Sequence, residues 1–252
     1  MIDVLVSGAA GRMGSLSAET IAAQDDLRLV ALVDPKLGTA TVVGAPAFAG
    51  VREALAETTP HAALEFSVPS AVFANTKELL EAGVATVVGA TGLTDDQVAA
   101  LSAIAEGSHT GLVIVPNFAL GAVLLMQFAR QAARYYQAAE IIEMHGAGKI
   151  DAPSGTSLRT ARLMALPPSA AAPVADAVQP ARGLVADRVH IHSVRLPGMV
   201  AHQEVLFGGE DELLTLRHDS LSRRSFMSGV LLAMRRVIAV KGTVIGLENF
   251  LD

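Results

Sequence analysis

The sequence predicts an α/β protein in two parts, a doubly wound parallel sheet followed by an α+β domain with a mixed or antiparallel sheet. Short apolar runs alternate with helical patterns as far as residue 118, which is typical of successive strand–helix units. The first of these runs ends in a glycine-rich turn, as a parallel strand does where it leads into a helix. After residue 182, apolar and polar residues alternate, as in antiparallel strands with one covered face.

The predicted elements of the first part follow one another regularly. Apolar runs rich in Val, Leu and Ala predict buried strands at 2–7, 27–33, 62–66, 86–88 and 111–115. Helical patterns between them predict helices at 12–23, 52–56, 70–82 and 95–106. Residues 35–50 are expected to form a loop or short strands.

The second part has a different texture. A long amphipathic pattern predicts a helix at 119–137, and a strand and a helix are expected at 139–144 and 157–166. The Pro- and Ala-rich stretch 166–182 is expected to be a loop or linker. Three further strands are predicted at 189–195, 199–207 and 212–218, and a last helix at 222–237 precedes a short tail, 243–252.

Composition excludes several classes of protein. The chain has 252 residues, a net charge of −6 and no cysteine, which excludes disulfides, thiolate metal sites and a cysteine nucleophile. The acidic balance gives no indication of a nucleic-acid partner. No apolar run approaches the roughly 18–20 residues of a spanning helix, and no signal-like segment precedes the first strand. We therefore expect a cytoplasmic protein without a membrane partner.

The turn after the first strand carries a motif for dinucleotide binding. Gly8, Gly11 and Gly14 would allow a tight turn, close approach of a pyrophosphate and close packing of helix on strand. Asp34 ends the second strand and would accept hydrogen bonds from the adenosine ribose. Arg12 and Lys36 lie where an adenosine 2′-phosphate would sit, so NADPH and NADH both remain open. The alternatives are incidental glycines in a strand–helix turn and plain surface charge. The motif predicts a Rossmann-type domain.

Other polar or small residues follow the later strands. Ligands of doubly wound sheets bind beyond the carboxyl ends of the strands. In this sequence Gly8, Asp34, Ser67, Thr91 and Asn117 are all predicted to lie there. This agreement favours a cofactor site at that edge of the sheet.

The segment 143–156, EMHGAGKIDAPSGT, carries the features of a substrate site. His145 is a candidate proton donor, because imidazole titrates in the physiological range. Ser154, Gly155 and Thr156 are predicted to open a helix, whose free N–H groups and partial positive charge attract anions. With Lys149 nearby, the segment is interpreted as a clamp for carboxylates beside an acid.

Several other polar residues have plainer interpretations. Asp151 is expected to cap the helix rather than to act as an acid. Arg195 has two possible roles, an ion pair with an acidic residue or a contact in the site. His190, His192 and His202 fall in predicted strands, where a structural or interface role is favoured over a metal site. His61, His109 and His218 are expected to be surface or structural residues. No metal is predicted.

These motifs together resemble the 4-hydroxy-tetrahydrodipicolinate reductase family, also called the dihydrodipicolinate reductase family. The resemblance spans most of the chain and is most specific at 143–156, where the family pattern is E-x-H-H-x-x-K-x-D-A-P-S-G-T. It also rests on GAAGRMG at 8–14, SVP at 67–69, GATG at 89–92, PNFALG at 116–121 and VRLPGMVAHQEVLFG at 194–208.

The resemblance implies a nicotinamide-dependent reductase, with NADPH or NADH donating a hydride to a cyclic conjugated imine dicarboxylate in lysine and diaminopimelate biosynthesis. It implies His145 as general acid, Lys149 as its catalytic neighbour and substrate ligand, further substrate contacts from Thr91, Ser154, Gly155 and Thr156, and a homotetramer. The candidate cofactor-binding residues are Gly8, Gly11, Arg12, Met13, Gly14, Asp34, Lys36, Phe66, Ser67, Gly89, Thr91, Asn117 and Phe118.

The expected domains are 1–118, completed by 219–252, for the dinucleotide and 119–218 for substrate binding and oligomerisation. The sequence departs from the family pattern at three positions. Gly146 replaces the second histidine, Ala90 the first threonine of GTTG, and Glu65 an aspartate. These departures leave two alternatives open: a paralogous reductase of a different cyclic imine, or a catalytically impaired nucleotide-binding homologue.

Overall fold

The computed structural model describes residues 1–37, 41–167 and 180–251. The chain divides into two compact units, Met1–Phe118 together with Phe226–Asp252, and Ala119–Ser225. The sequence placed the return to the first unit at Asp219, at the end of a strand. In the structure the first unit resumes at Phe226, one residue before the last α-helix begins.

Strands are numbered in chain order within these described residues. They are β1 (Ile2–Ser7), β2 (Leu27–Val33), β3 (Thr41–Val42), β4 (Ala45–Phe48), β5 (Ala62–Glu65), β6 (Ala85–Val88), β7 (Gly111–Ile114), β8 (Ala138–His145), β9 (Leu184–Ala186), β10 (Val189–Arg195), β11 (Ala201–Gly209), β12 (Glu212–Ser220) and β13 (Gly242–Ile245).

The α-helices are numbered in the same way. They are α1 (Arg12–Ala22), α2 (Val51–Glu57), α3 (Val72–Glu81), α4 (Asp95–Gly107), α5 (Leu120–Ala132), α6 (Gly155–Met164) and α7 (Met227–Arg236). Short 3₁₀ turns lie at Pro180–Arg182, Arg223–Phe226, Val237–Ala239 and Leu247–Phe250. None of the described helices is long and apolar enough to cross a membrane.

The first unit is built on a sheet with the strand order β13-β7-β6-β5-β1-β2-β4-β3. All of its paired neighbours run parallel except β3, which is antiparallel to β4. Strands β5 and β6 are buried at every position, because helices cover a doubly wound sheet on both faces. The prediction of a Rossmann-type doubly wound parallel sheet is confirmed.

Strand β13 is the element of this sheet that the sequence analysis missed. Residues 243–252 were expected to form a tail, but Gly242–Ile245 pairs in parallel with Gly111–Ile114 and forms the sheet edge. The strand has only four residues, and its first two are Gly242 and Thr243. So short a run carries no periodicity, and its strand conformation comes from pairing with β7.

The second unit contains a mixed sheet in the order β12-β11-β8-β10-β9. The central strand β8 is antiparallel to β11 and parallel to β10. Side chains of α5, α6 and one face of this sheet form a common core, with Leu125, Ile141, Met164, Ile191 and Phe207 among its buried members. The predicted α+β part with a mixed sheet is confirmed.

Several boundaries in this unit differ from those predicted. The predicted helix 119–137 ends at Ala132, because a turn at Arg134 and Tyr135 leads into β8. The predicted linker 166–182 lies mostly outside the described residues, and its end forms a 3₁₀ turn at Pro180–Arg182. The short edge strand β9 was not predicted. The helix expected at 222–237 begins as a 3₁₀ turn, and its α-helical part starts at Met227.

Candidate active site

The glycine turn after β1 leaves no room for side chains at its three glycine positions. Gly8 has a φ of +73°, and a Cβ on it would lie 2.6 Å from the backbone nitrogen of Ser67, inside van der Waals contact. A Cβ on Gly14 would lie 2.7 Å from the carbonyl carbon of Gly8, and one on Gly11 would lie 3.0 Å from its oxygen. The turn therefore packs against both the end of β5 and the start of α1.

The start of α1 faces no capping group. Gly11 is its N-cap and provides no side-chain hydrogen bond, and no acidic residue lies in the first turn. The first-turn residues Arg12, Met13 and Gly14 thus open a helix whose first turn contains no carboxylate to offset its positive end. A turn that needs glycine at these three positions, followed by a helix without an acidic residue in its first turn, fits a pyrophosphate.

Asp34 is fixed beside the same turn. Its carboxylate accepts a hydrogen bond from the backbone N–H of Ala10 at 3.1 Å and another from that of Lys36 at 3.0 Å. The carboxylate therefore lies at the glycine turn, which fits an acceptor for a ribose diol. The side chains of Lys36 and Arg12 are exposed.

The ends of β5, β6 and β7 form a second cluster in the first unit. The rings of Phe66 and Phe118 meet edge to face, with centroids 5.4 Å apart. A Cβ on Gly89 would lie 2.5 Å from the ring of Phe118, so only glycine fits over the aromatic pair. Thr91 is exposed in the loop that follows, and Asn117 is half-buried just before Phe118.

Glu65 organises two of the loops in this cluster. Its side chain is fully buried, and one carboxylate oxygen accepts the N–H of Ser67 at 2.6 Å. Its backbone carbonyl accepts the N–H groups of Gly89 and Ala90 at 2.9 and 3.1 Å. Glu65, where the resembled family pattern has an aspartate, is therefore compatible with an ordered loop, because its side chain reaches Ser67.

In the second unit, the side chains of an acid, a histidine and an arginine meet at the end of the central strand β8. His145 and Glu143 point to the same face of β8, and His145 Nδ1 is hydrogen-bonded to the Glu143 carboxylate. Arg195 of β10 donates two hydrogen bonds to Glu143, from Nη2 at 2.7 Å and Nη1 at 2.9 Å, and a third to the carbonyl of Asp151 at 2.7 Å. Glu143 is fully buried.

The protonation of this group follows from its contacts. Burial alone would raise the pKa of Glu143, but hydrogen bonds from Arg195, Ser193 and His145 outweigh burial and lower it. Burial lowers the pKa of His145, Glu143 acts to raise it, and the positive charges of Lys149 and Arg195 lower it further. Because an ionised carboxylate can only accept, His145 Nδ1 carries the proton, which leaves Nε2 for chemistry.

Lys149 lies in the loop after β8. Its ammonium group is 2.7 Å and 2.8 Å from the two carboxylate oxygens of Asp151, and its backbone N–H donates to the carbonyl of Gly146 at 3.0 Å. The hydrogen bond from Lys149 is the main reason why the pKa of Asp151 lies below its ordinary value. The side chains of both residues remain partly accessible, so a stronger anion can compete for Lys149.

Ser154 is the N-cap of α6. Its hydroxyl oxygen accepts the N–H of Ser157 at 3.2 Å, and its side chain is buried. Gly155 follows with open space around its Cα, since a Cβ there would meet no atom within 4 Å, and Thr156 is half-buried. The expectation that Asp151 caps this helix is wrong, because the carboxylate of Asp151 is turned to Lys149 instead.

Among the described residues, no group of three or more His, Asp or Glu side chains that could hold a metal ion comes together. His192 pairs with Glu140 and His202 with Asp219, while neither ring nitrogen of the buried His190 has a partner. His61 accepts the backbone N–H of Asp3 at 2.9 Å.

The site residues predicted from sequence thus form two groups, one in each unit. The first unit holds the predicted cofactor residues and Thr91, and the second holds His145, Lys149 and Ser154–Thr156. Sequence reasoning gave no role to Glu143 and did not decide that of Arg195. The signal for Glu143 was present, since an acid two residues before His145 on a strand must share its face.

Comparison with known proteins identifies the family of this chain. Two family models match, "Dihydrodipicolinate reductase, N-terminus" over residues 2–118 and "Dihydrodipicolinate reductase, C-terminus" over residues 121–251. The 4-hydroxy-tetrahydrodipicolinate reductase of Listeria monocytogenes serotype 4b (strain F2365) is 46% identical, with 99% of both chains covered. That of Moorella thermoacetica is 44% identical, over 100% of this chain and 98% of the relative. A dipicolinate-bound dihydrodipicolinate reductase from Paenisporosarcina sp. TG-14 matches in structure with a TM-score of 0.89 and 40% identity over 100% of both chains. The chain belongs to the dihydrodipicolinate reductase family.

Proposed function

We propose that this chain carries out its family's reaction with His145 as the proton donor and with Lys149 and the start of α6 as the carboxylate clamp. Family membership makes it a nicotinamide-dependent oxidoreductase of lysine and diaminopimelate biosynthesis, which reduces a cyclic imine dicarboxylate of the dihydrodipicolinate type to tetrahydrodipicolinate. The observation that supports the residue roles best is the His145–Glu143–Arg195 group, because it leaves one imidazole nitrogen oriented and available.

We assign the dinucleotide to the first unit, residues 1–118 completed by 226–252. A bound nicotinamide cofactor supplies the hydride. The glycine turn and the start of α1 would hold the pyrophosphate, Asp34 would accept from the adenosine ribose, and Arg12 or Lys36 would meet a 2′-phosphate. The proposed cofactor is accordingly NADH or NADPH.

The second cluster of the first unit is assigned to the nicotinamide end. Phe66 and Phe118 provide an apolar wall, and the Gly89 position keeps side chains away from it. Ser67, Thr91 and Asn117 provide polar groups around this wall, and Thr91 is also proposed to touch the substrate. The exclusion of water by the two rings would protect the hydride from side reactions.

The second unit, residues 119–225, is assigned to substrate binding. A dicarboxylate needs two anion sites, and the second unit offers the ammonium of Lys149 and the first turn of α6 at Ser154, Gly155 and Thr156. The Lys149–Asp151 pair is accessible, so a substrate carboxylate can replace the carboxylate of Asp151. Ammonium and helix start lie in one segment, five to seven positions apart in sequence.

His145 is proposed to complete the reduction. Hydride arrival leaves negative charge on the conjugated imine, and a proton must follow. The imidazolium of His145 would release the proton on Nε2 to the substrate and become neutral, while Nδ1–H stays bonded to Glu143. Glu143 favours the charged imidazolium and holds the ring, and Arg195 holds Glu143.

The test is oxidation of NADPH and NADH, followed by absorbance, with enzymatically generated dihydrodipicolinate as substrate. We expect turnover, and His145→Ala should lower kcat by roughly 10²- to 10⁴-fold, the usual contribution of a general acid. Turnover of another cyclic imine in preference to this one would identify a paralogue with a different substrate. Binding of NADPH with no turnover of any imine would identify an impaired homologue.

A homotetramer and a cytoplasmic location are proposed with this function. The face of the mixed sheet opposite α5 and α6 carries Ile142, Met144, Val194 and Leu206, which are only half-buried in the single chain. Pairing of such faces would remove their apolar surface from water. Light scattering after gel filtration should give four times the 26.1 kDa chain mass, and a monomer would contradict the proposal.

A further inference from the structure

A line of hydrogen-bonded polar side chains lies buried beneath the first turn of α6. Ser154 Oγ and Ser157 Oγ are 2.8 Å apart, and Ser157 Oγ is 2.9 Å from Oε1 of Gln203 on β11. Gln203 Nε2 is 2.8 Å from Oγ1 of Thr160. The side chain of Gln203 is 5% exposed and the other three are buried as deeply or more. Sequence reasoning did not single out Gln203.

The direction of these hydrogen bonds follows from the number of protons. Thr160 Oγ1 donates its one proton to the carbonyl of Thr156 at 2.8 Å, so it can only accept from Gln203. The amide nitrogen of Gln203 must therefore face Thr160, and its oxygen must face Ser157. Ser157 donates to that oxygen and has no proton left for Ser154.

Ser154 consequently donates its own proton to Ser157, while its oxygen accepts the N–H of Ser157. Its hydroxyl is turned inward and has no proton to offer a ligand. The anion-binding capacity of this turn then comes from its backbone, at the open Gly155 position. The placement of that backbone depends on what holds Ser154 and Ser157 from below.

Gln203 provides this link between α6 and the sheet. In the antiparallel pairing of β8 with β11, Gln203 lies opposite Glu143, the carboxylate that holds His145. The side-chain amide of Gln203 therefore joins α6 to β11 at the position that pairs with Glu143, two residues from the proposed proton donor His145. The polar groups of this line are all buried and paired, so no water can replace a lost hydrogen bond. A change in the side chain of Gln203 would therefore displace the first turn of α6.

We propose that Gln203 is a positioning residue, which holds the first turn of α6 at the height where its backbone N–H groups meet a substrate carboxylate. The inference rests on the proposed function, since it requires the turn to bind a dicarboxylate. It predicts that an amide is needed at residue 203. A carboxylate would set an acceptor against Thr160, whose proton is already used, and a thioether would bond to neither partner.

Binding of dipicolinate to the full-length protein tests this proposal, with Gln203→Met and Gln203→Glu compared with Val205→Ala. Val205 is fully buried on the same face of β11 and lacks polar contacts, so it reports a loss of packing alone. We expect both Gln203 variants to weaken dipicolinate binding and raise KM by about three- to tenfold, with NADPH affinity and the pH dependence of kcat unchanged. Val205→Ala should lower Tm without changing dipicolinate affinity.

The outcomes separate the two proposals. If the unmodified protein neither binds dipicolinate nor turns over dihydrodipicolinate, the proposed function fails. If it binds normally and Gln203→Met binds equally well with a Tm lowered like that of Val205→Ala, Gln203 is only a core residue and this inference alone fails. Should Gln203→Met not fold, Ser157→Ala decides, because it removes the hydroxyl between Ser154 and Gln203. Unchanged affinity in Ser157→Ala would also overturn the inference.

Discussion

Arg195 holds Glu143 in a two-pronged ion pair, with its terminal nitrogens 2.7 and 2.9 Å from the carboxylate oxygens. Glu143 is fully buried, the side chain of Arg195 is 18% exposed, and Glu143 has His145 as a further partner. The proposed proton donor is thus held by a carboxylate that is itself fixed by an arginine on a neighbouring strand. Such second partners set the orientation and the basicity of an imidazole.

Replacing Glu143 should shift the pH dependence of the reaction. Burial already lowers the pKa of His145, and Glu143 is the group that raises it. Glu143→Gln removes that influence, so the pKa falls further, and the imidazolium needed as acid is lost at lower pH. We expect kcat to decline with rising pH at a lower pH than in the unmodified enzyme. Glu140→Gln, on the opposite face of β8, is the control and should leave the kcat profile unchanged.

Removing Arg195 should destabilise the protein more near neutral pH than in acid. The pKa of Glu143 is depressed in the folded state, so its contribution to stability is complete above its ordinary value and is lost as the pH falls through the folded value. Arg195→Met leaves a buried charge without its partner, which costs about 3–5 kcal/mol at pH 7. Urea unfolding at pH 7 and in acid measures the difference.

Arg217→Met provides a matched control for that measurement, because Arg217 forms exposed ion pairs on the adjacent part of the same sheet. Its loss should change stability little at either pH. Equal destabilisation by Arg195→Met at pH 7 and in acid would show that packing of the arginine, not its charge, supports Glu143.

The sequence predicted most of the fold because its signals were local. Strands such as 2–7 and 27–33 are long apolar runs with glycines or polar residues at their ends, and each is found within a residue of its predicted bounds. The strands β9 and β13 were missed because three and four residues are too few to show a period. Their conformation is imposed by the neighbouring strands.

The site could be predicted from the sequence only where its residues are close together along the chain. The glycine turn and the segment 143–156 can be identified from adjacent residues. Arg195 lies 52 positions after Glu143, and the two meet because β10 pairs in parallel with β8, with Arg195 in register with His145. That register depends on the assembled sheet, and nothing near Arg195 in the sequence specifies it.

Substitutions of Lys149 and of Asp151 should change the affinity for dipicolinate in opposite directions. Lys149→Met removes an ammonium proposed to bind the substrate, so dipicolinate affinity should fall by roughly ten- to hundredfold. Asp151→Asn removes a carboxylate that occupies Lys149, so affinity should rise, by about threefold at most, since the pair is accessible. Calorimetric titration with dipicolinate measures both. Weaker binding in Asp151→Asn would mean that Asp151 orients Lys149 instead of competing for it.

Asp34 should influence the choice between NADH and NADPH. Its carboxylate is fixed at the glycine turn by the N–H groups of Ala10 and Lys36, where it would repel a 2′-phosphate. Asp34→Ser should raise the ratio of kcat/KM for NADPH to that for NADH about tenfold, equivalent to about 1.4 kcal/mol. Lys36→Met is the opposing variant and should lower the ratio. A ratio unchanged by both would place the adenosine ribose elsewhere.

Gly146, where the family pattern has a second histidine, is fitted to its surroundings. A Cβ on Gly146 would lie 3.0 Å from the carbonyl oxygen of Met199, which is tighter than ordinary contact, whereas a Cβ on Gly148 would meet nothing within 4 Å. The carbonyl of Gly146 also accepts the backbone N–H of Lys149 at 3.0 Å, so any displacement of Gly146 is passed to the proposed clamp.

Gly146→Ala should therefore raise KM for dihydrodipicolinate by about three- to tenfold, with little change in kcat. A change of this size corresponds to the binding free energy of roughly one hydrogen bond. Gly148→Ala is the matched control, since it restricts the same loop without a steric conflict and should leave KM nearly unchanged. Steady-state kinetics of both variants distinguishes contact from flexibility. Equal increases in KM would mean that the loop needs freedom to move, and that the closeness of Met199 has no effect on substrate binding.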